Sequence, residues 1–183
     1  MSPQTRNDRE SNFAEFLRGL ADKEDRGALA ALRRGLSANA AAAAAMHRYI
    51  VGWLHDEDSE WDVQRFYLVA ALFGRYPSTN SARCNFGGSC RMLHQKKESD
   101  SVERRFVALL AADVESIGVH LRHAIALIST EDLPVDWAQL LRDLKWWRQP
   151  ERRVQRRWAR EFWKHATGED PATAAADATA IQA

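Results

Sequence analysis

The residues in this chain best suited to chemistry are arginines, and their spacing suits the holding of anions rather than bond-making. From Arg142 to Lys164 the sequence carries nine basic residues against three acidic ones, a local charge of +6 in a chain whose formal net charge is +1. Within that stretch Arg152, Arg153, Arg156, Arg157 and Arg160 recur at helical spacing. On a 100° wheel Val154, Trp158 and Phe162 cover one side, with Arg153, Arg157, Arg160 and Lys164 opposite. A face wanted for solubility alone would mix signs, with acids four residues before bases. Here arginine dominates, and its planar fork grips phosphate oxygens better than the point charge of lysine. The competing reading is a solvated face that pairs with acids such as Asp56–Asp62, where five acidic residues stand without a Lys or Arg.

Other constellations are weaker. Cys84, Cys90 and His94 supply three metal-capable side chains, whereas structural zinc sites take four ligands with tighter cysteine pairs, so free thiols are expected and no metal. His47 and His55, and His120 and His123, lack the carboxylate of an HExxH pattern. The acids from Asp56 to Asp62 lack the central Gly and final Glu of a calcium loop. Gly87-Gly88 stands without a phosphate-loop lysine or a dinucleotide fingerprint, and no GxSxG occurs. The residues therefore point away from an enzyme and from any cofactor or small-molecule substrate. The tryptophans sit mostly at core spacing. Trp163 projects off the apolar stripe, where packing on a partner or on the other lobe is favoured over stacking a base.

The elements that must position these arginines are helices. The chain has 183 residues, 45% of them hydrophobic, enough for one domain or two small lobes sharing a core. Alternating β-branched runs are nearly absent. Residues 11–22 read as a first helix capped by Ser11. Asp25 caps a second with Leu29, Leu32 and Leu36 on one face, and Asn39 caps a third ending in Met46, Tyr49, Ile50, Trp53 and Leu54. A fourth, from about Val63 to Arg75, is apolar nearly all round and belongs at the centre of a bundle. Pro77 stops it, and 77–98 reads as a mobile basic loop. Ser99 or Ser101 opens the next helix, and another begins near Asp113. Pro134 and Asp136 start a helix that Pro150 breaks, and the last spans 151–166 before a disordered tail over 169–183. The expected organisation is a lobe over 11–76, the loop 77–98, a second lobe over 99–167, and the tail from 168. Met1–Ser11 is polar and no stretch is apolar enough to span a bilayer, so a cytoplasmic, soluble protein without membrane contact is expected.

Three further places present arginines: Arg34 points away from the leucine face while Arg33 flanks it, Arg105 flanks its apolar stripe while Arg104 points outward, and Arg122 sits beside Leu121. Each taken alone reads as a rim salt bridge, and together they matter only if the fold brings them onto one surface. Ala31-Leu-Arg-Arg-Gly35, Phe66-Tyr-Leu-Val-Ala-Ala-Leu-Phe73, Glu103-Arg-Arg-Phe106, Leu109-Leu-Ala-Ala-Asp113, Leu121-Arg122, Pro134-Val-Asp-Trp-Ala138 and Leu140-Leu-Arg-Asp-Leu144 with Trp146-Trp147 occur in that order. In this order and spacing the chain, over about residues 13–163, resembles CasB, the small subunit of the type I-E CRISPR surveillance complex Cascade. The resemblance implies an all-α, two-lobed bundle of about seven to nine helices, without catalysis and present as two copies beside the other Cascade subunits. Such a protein steadies the crRNA–target duplex and the displaced DNA strand. It further implies that Arg34, Arg91, Arg105, Arg122, Arg148 and Arg152 face nucleic acid. The basic face itself adds Arg153 and Arg157. The loop with Cys84, Cys90 and His94 departs from the family pattern. A helical adaptor that binds only protein is the alternative reading.

Overall fold

The computed structural model describes residues 5–35, 40–79 and 82–164. Among the described residues there are α-helices and one short 3-10 turn, with no strand. The helices are α1 (Thr5–Asp22), α2 (Arg26–Arg34), α3 (Ala40–Ile50), α4 (Glu60–Arg75), α5 (Phe86–Lys97), α6 (Asp100–Ala111), α7 (Ile117–Thr130), α8 (Trp137–Lys145) and α9 (Arg153–Phe162).

Capping explains most of the starts, because a side-chain oxygen satisfies a first-turn N–H that has no partner inside the helix. Asp25 accepts from the Ala28 N–H at 2.9 Å, and Asp136 from the Gln139 N–H at 2.8 Å. Ser99, not Ser101, caps α6. Ser59 caps α4, so that helix begins at Glu60 rather than near Val63. The first helix runs through Ser11 from Thr5, so Ser11 caps nothing and instead accepts a hydrogen bond from Arg142 at 2.7 Å. α8 ends at Lys145, before Pro150, and α9 ends at Phe162. The expected Asn39 cap, Leu36 and the tail 169–183 lie outside the described residues.

The largest correction concerns 77–98. Residues 86–97 form α5, capped by Asn85, with Phe86, Cys90 and Leu93 at 2–3% exposure. The glycines that read as loop punctuation serve close packing. A Cβ at Gly87 would overlap the backbone of Trp158, and one at Gly88 would meet the Cys84 side chain at 2.6 Å. Bare backbone at Gly87 lets α5 and α9 touch, so this part of the segment is core.

α4 is central as its composition predicts. It packs on α2, α3, α7 and α8, while α5 packs on α6, α7 and α9, and α6 on α7. α8 also lies against α1. A single hydrophobic cluster runs through both groups, from Phe13 and Leu17 to Trp158 and Phe162. Two buried polar centres tie it together. Arg65 of α4, at 1% exposure, pairs with Glu10 of α1 at 3.0 Å and Asp62 at 2.9 Å, and donates to the Leu141 carbonyl of α8 at 2.9 Å. Asp143, also 1% exposed, accepts from the Trp158 indole at 2.6 Å, from Gln139 at 2.7 Å and from Arg157.

Candidate functional site

α9 is amphipathic for a direct reason: Val154, Trp158 and Phe162 are buried, and Arg153, Arg156, Arg157 and Arg160 are exposed. Arg153, Arg156 and Arg160 make no side-chain hydrogen bond or ion pair with the described residues. Guanidinium groups without internal carboxylates keep their charge and all their donors available to an external anion. Arg156 and Arg160 belong to this face as fully as Arg153 does. Their spacing in the sequence was the signal for them.

The start of α9 is joined to the end of α6. Arg152 is exposed, adopts left-handed backbone at φ 49°, and donates to the Leu110 carbonyl. The buried Trp147 indole donates to the Ala112 carbonyl at 3.0 Å. Arg148, on the turn between α8 and α9, is exposed with its guanidinium 5.7 Å from the Trp61 ring centroid. Arg148, Arg152 and Arg153 thus follow one another along the chain from the α8–α9 turn into α9, Arg148 beside Trp61 and Arg152 against the end of α6, and α9 carries the charge onward through Arg156 and Arg160.

Arg157 and Arg91 differ from the expectation. Arg157 is 51% exposed yet paired with buried Asp143, so its charge already serves the core. Arg91 is 18% exposed, donates to the Glu161 carbonyl at 3.0 Å and pairs with its carboxylate at 3.4 Å. It braces α5 to α9, and its Nε is buried without a partner. Because 86–97 is a packed helix, Arg91 is drawn inward instead of riding on a mobile loop.

The remaining three arginines stand apart. Arg105 is exposed, with no side-chain partner among the described residues, at the edge of a cavity of about 210 Å3 between α5, α6 and α7. His120 and His123 of α7 line the same cavity over an apolar floor that includes Val102, Leu109 and Leu127. Arg122 lies about 100° beyond the buried α7 stripe on the other flank, half-buried with its Nε unpartnered. Arg34 is exposed on α2, its Nε donating to the Ala30 carbonyl at 3.1 Å.

No group of three or more His, Cys, Asp or Glu converges on a metal-sized site among the described residues. Cys84 and Cys90 are free, and burial pushes both thiols up from the ordinary cysteine range. No helix is long and apolar enough to cross a membrane, among the described residues. Fold and surface together define an all-helical protein with a concentration of exposed guanidinium groups on its last described helix.

The chain belongs to the CRISPR-associated protein Cse2 family, whose model matches residues 28–163. It is 36% identical over 161 residues to a CRISPR-associated protein Cse2 of Thermus thermophilus, covering 86% of this chain and 92% of that one. A crystal structure of CasB from Thermus thermophilus superposes with a TM-score of 0.73 at 34% identity, covering 90% of this chain and 99% of the other. A chain of a CRISPR RNA-guided surveillance complex shares the fold, with a TM-score of 0.73 at 24% identity over 86% of this chain and 93% of its own.

Proposed function

We propose that this chain is a non-catalytic subunit of a type I-E CRISPR surveillance complex that holds nucleic-acid backbone through arginines without reading bases. In that role it steadies the crRNA–target duplex and the displaced strand in the cytoplasm, beside other subunits and a second copy of itself. The observation that carries the reading is the set of exposed guanidinium groups at Arg148, Arg153, Arg156 and Arg160, none paired with a carboxylate among the described residues. A protein that does not select sequence needs phosphate contacts and no base-edge code. Arg105, Arg122 and Arg34 extend the cationic surface at separate points, and the exposed Val107 and Val119 offer apolar contact to neighbouring subunits.

Binding by the isolated chain should be weak, independent of sequence and steeply salt-sensitive, rising inside an assembly through effective concentration. Titrating labelled single- and double-stranded DNA across a salt series tests this. Each phosphate contact contributes about 0.7–0.9 to the slope of log affinity against log salt. Affinity flat with salt, or unaltered by Arg153→Glu with Arg156→Glu, overturns it.

A further inference from the structure

Between α8 and α9 the chain turns over residues 146–152, and the turn is held from both ends. The Trp146 and Trp147 N–H groups donate to Asp143 and Leu144 carbonyls at 3.1 Å, and the Arg152 N–H to the Gln149 carbonyl at 2.9 Å. The Trp147 indole is buried at 3% exposure, and the Gln155 side chain donates to the Trp147 carbonyl at 3.0 Å. Its neighbour faces the other way. Trp146 is 50% exposed, whereas Trp61, Trp137, Trp147 and Trp158 are at 5% or less and Trp53 and Trp163 pack against the core. Half of the Trp146 surface is open to solvent, apolar area whose covering by an occupant would bring a hydrophobic gain.

The surroundings say which kind. The Lys145 ammonium lies 5.5 Å from the Trp146 ring centroid, and Arg148, two residues on, is exposed. Exposed Arg152, which donates to the Leu110 carbonyl, ends the turn, and exposed Arg153 opens α9. Of the nearby acids, Asp143 is buried beneath Arg157, Asp62 is paired with Arg65, and Glu151 is exposed. An exposed indole with an ammonium beside it and exposed arginines following along the same segment matches a base attached to phosphates.

We propose that Trp146 is a stacking platform for one unpaired base of a single strand, with Lys145 and Arg148 taking the phosphates beside it. The proposal rests on the backbone-binding reading above and adds to it a preference for form. Cations alone hold duplex and single strand alike, while an exposed ring can be covered only by a base that has left its helix. Hydrogen bonds at both ends of the turn hold the backbone that carries the ring.

The test uses the full chain, fluorescence anisotropy, and three probes of equal length: an oligothymidylate, its duplex with oligoadenylate, and an abasic strand. Trp146→Ala should weaken oligothymidylate binding roughly 5- to 100-fold, leaving the duplex and the abasic strand within about twofold, and Trp146→Phe should restore most of the loss. Far-UV circular dichroism and thermal melting verify the fold of each variant. Equal loss on all three probes, or no loss on oligothymidylate, overturns the stacking role. In that case, salt-steep duplex binding by the wild type leaves the backbone reading standing. Absence of salt-dependent binding to any probe defeats both. A Trp146 that anchors a protein instead would leave all three affinities unchanged, which counts against the proposal.

Discussion

The Arg157 guanidinium, half exposed on α9, closes over the Asp143 carboxylate, which is 1% exposed at the end of α8. One arginine thereby faces solvent and neutralises a buried acid. Burial pushes the Asp143 carboxyl above the usual range, and the Trp158 hydrogen bond and the Arg157 charge pull it only part of the way back. A carboxyl whose folded pKa is raised holds its proton more tightly in the folded state. Its contribution to stability is therefore present at low pH and lost as pH climbs from the ordinary carboxylate range through the raised value.

Removing Arg157 raises that carboxyl further and widens the window upward. Arg157→Ala should cost about 1–2 kcal/mol at neutral pH, less than for a fully buried pair because the guanidinium is half exposed. At pH below the ordinary carboxylate range, where the raised Asp143 carboxyl is protonated, the cost should nearly vanish. Urea denaturation at a series of pH values measures both, and a cost that does not change with pH would refute the assignment.

Arg65 is a stronger brace. Its three partners lie on α1, α4 and α8, and its own exposure is 1%. Arg65→Ala strands Glu10 without its counter-charge and should destabilise by about 3–5 kcal/mol in chemical denaturation. Burial raises the Asp62 carboxyl, but hydrogen bonds from Ser59 and Arg65 with the Arg65 and Lys145 charges outweigh it, so the net shift is downward. The stability Asp62 supplies is thus present above the ordinary carboxylate value and lost as pH falls through the lowered one. The variant should lose part of that acid-limb dependence.

Gly87→Ala places a methyl group against the α9 backbone at Trp158. Backbone cannot swing aside as a side chain can, so the two helices must separate. A loss of about 1–3 kcal/mol is expected, read as a lower thermal midpoint. Gly19→Ala, on open helix surface, should instead match or exceed the wild type.

Arg91 and the α9 face should separate in binding experiments. Arg91→Ala removes a brace between α5 and α9 and should lower stability by about 1 kcal/mol, with the salt slope of DNA binding unchanged. Arg153→Glu with Arg156→Glu should leave stability within about 0.5 kcal/mol and cut the slope by about 1.5–2. A salt titration of each variant settles which arginines touch phosphate.

The helical class, the central placement of α4 and the caps at Asp25, Ser99 and Asp136 were legible from local rules. Apolar period and capping oxygens act within a few residues, and few competing strand signals were present. α5 was not legible. Its glycines serve a helix that is distant in sequence, and without α9 in view they are indistinguishable from turn residues. Arg65 was equally hidden, because an arginine inside an apolar helix reads as a snorkelling rim residue until Glu10 and the Leu141 carbonyl are placed around it.

Local pattern and ordered landmarks together determined the fold class, the family likeness and the presence of a cationic last helix. Tertiary structure alone decided which guanidinium groups stay available: Arg153, Arg156 and Arg160 face solvent, while Arg91 and Arg157 are bound to Glu161 and Asp143. It also left Trp146 outside and drew Trp147 in. Periodicity along a chain reports which way a side chain points from its own helix. Whether an acid or another helix waits there depends on residues far away in sequence, which only packing brings near.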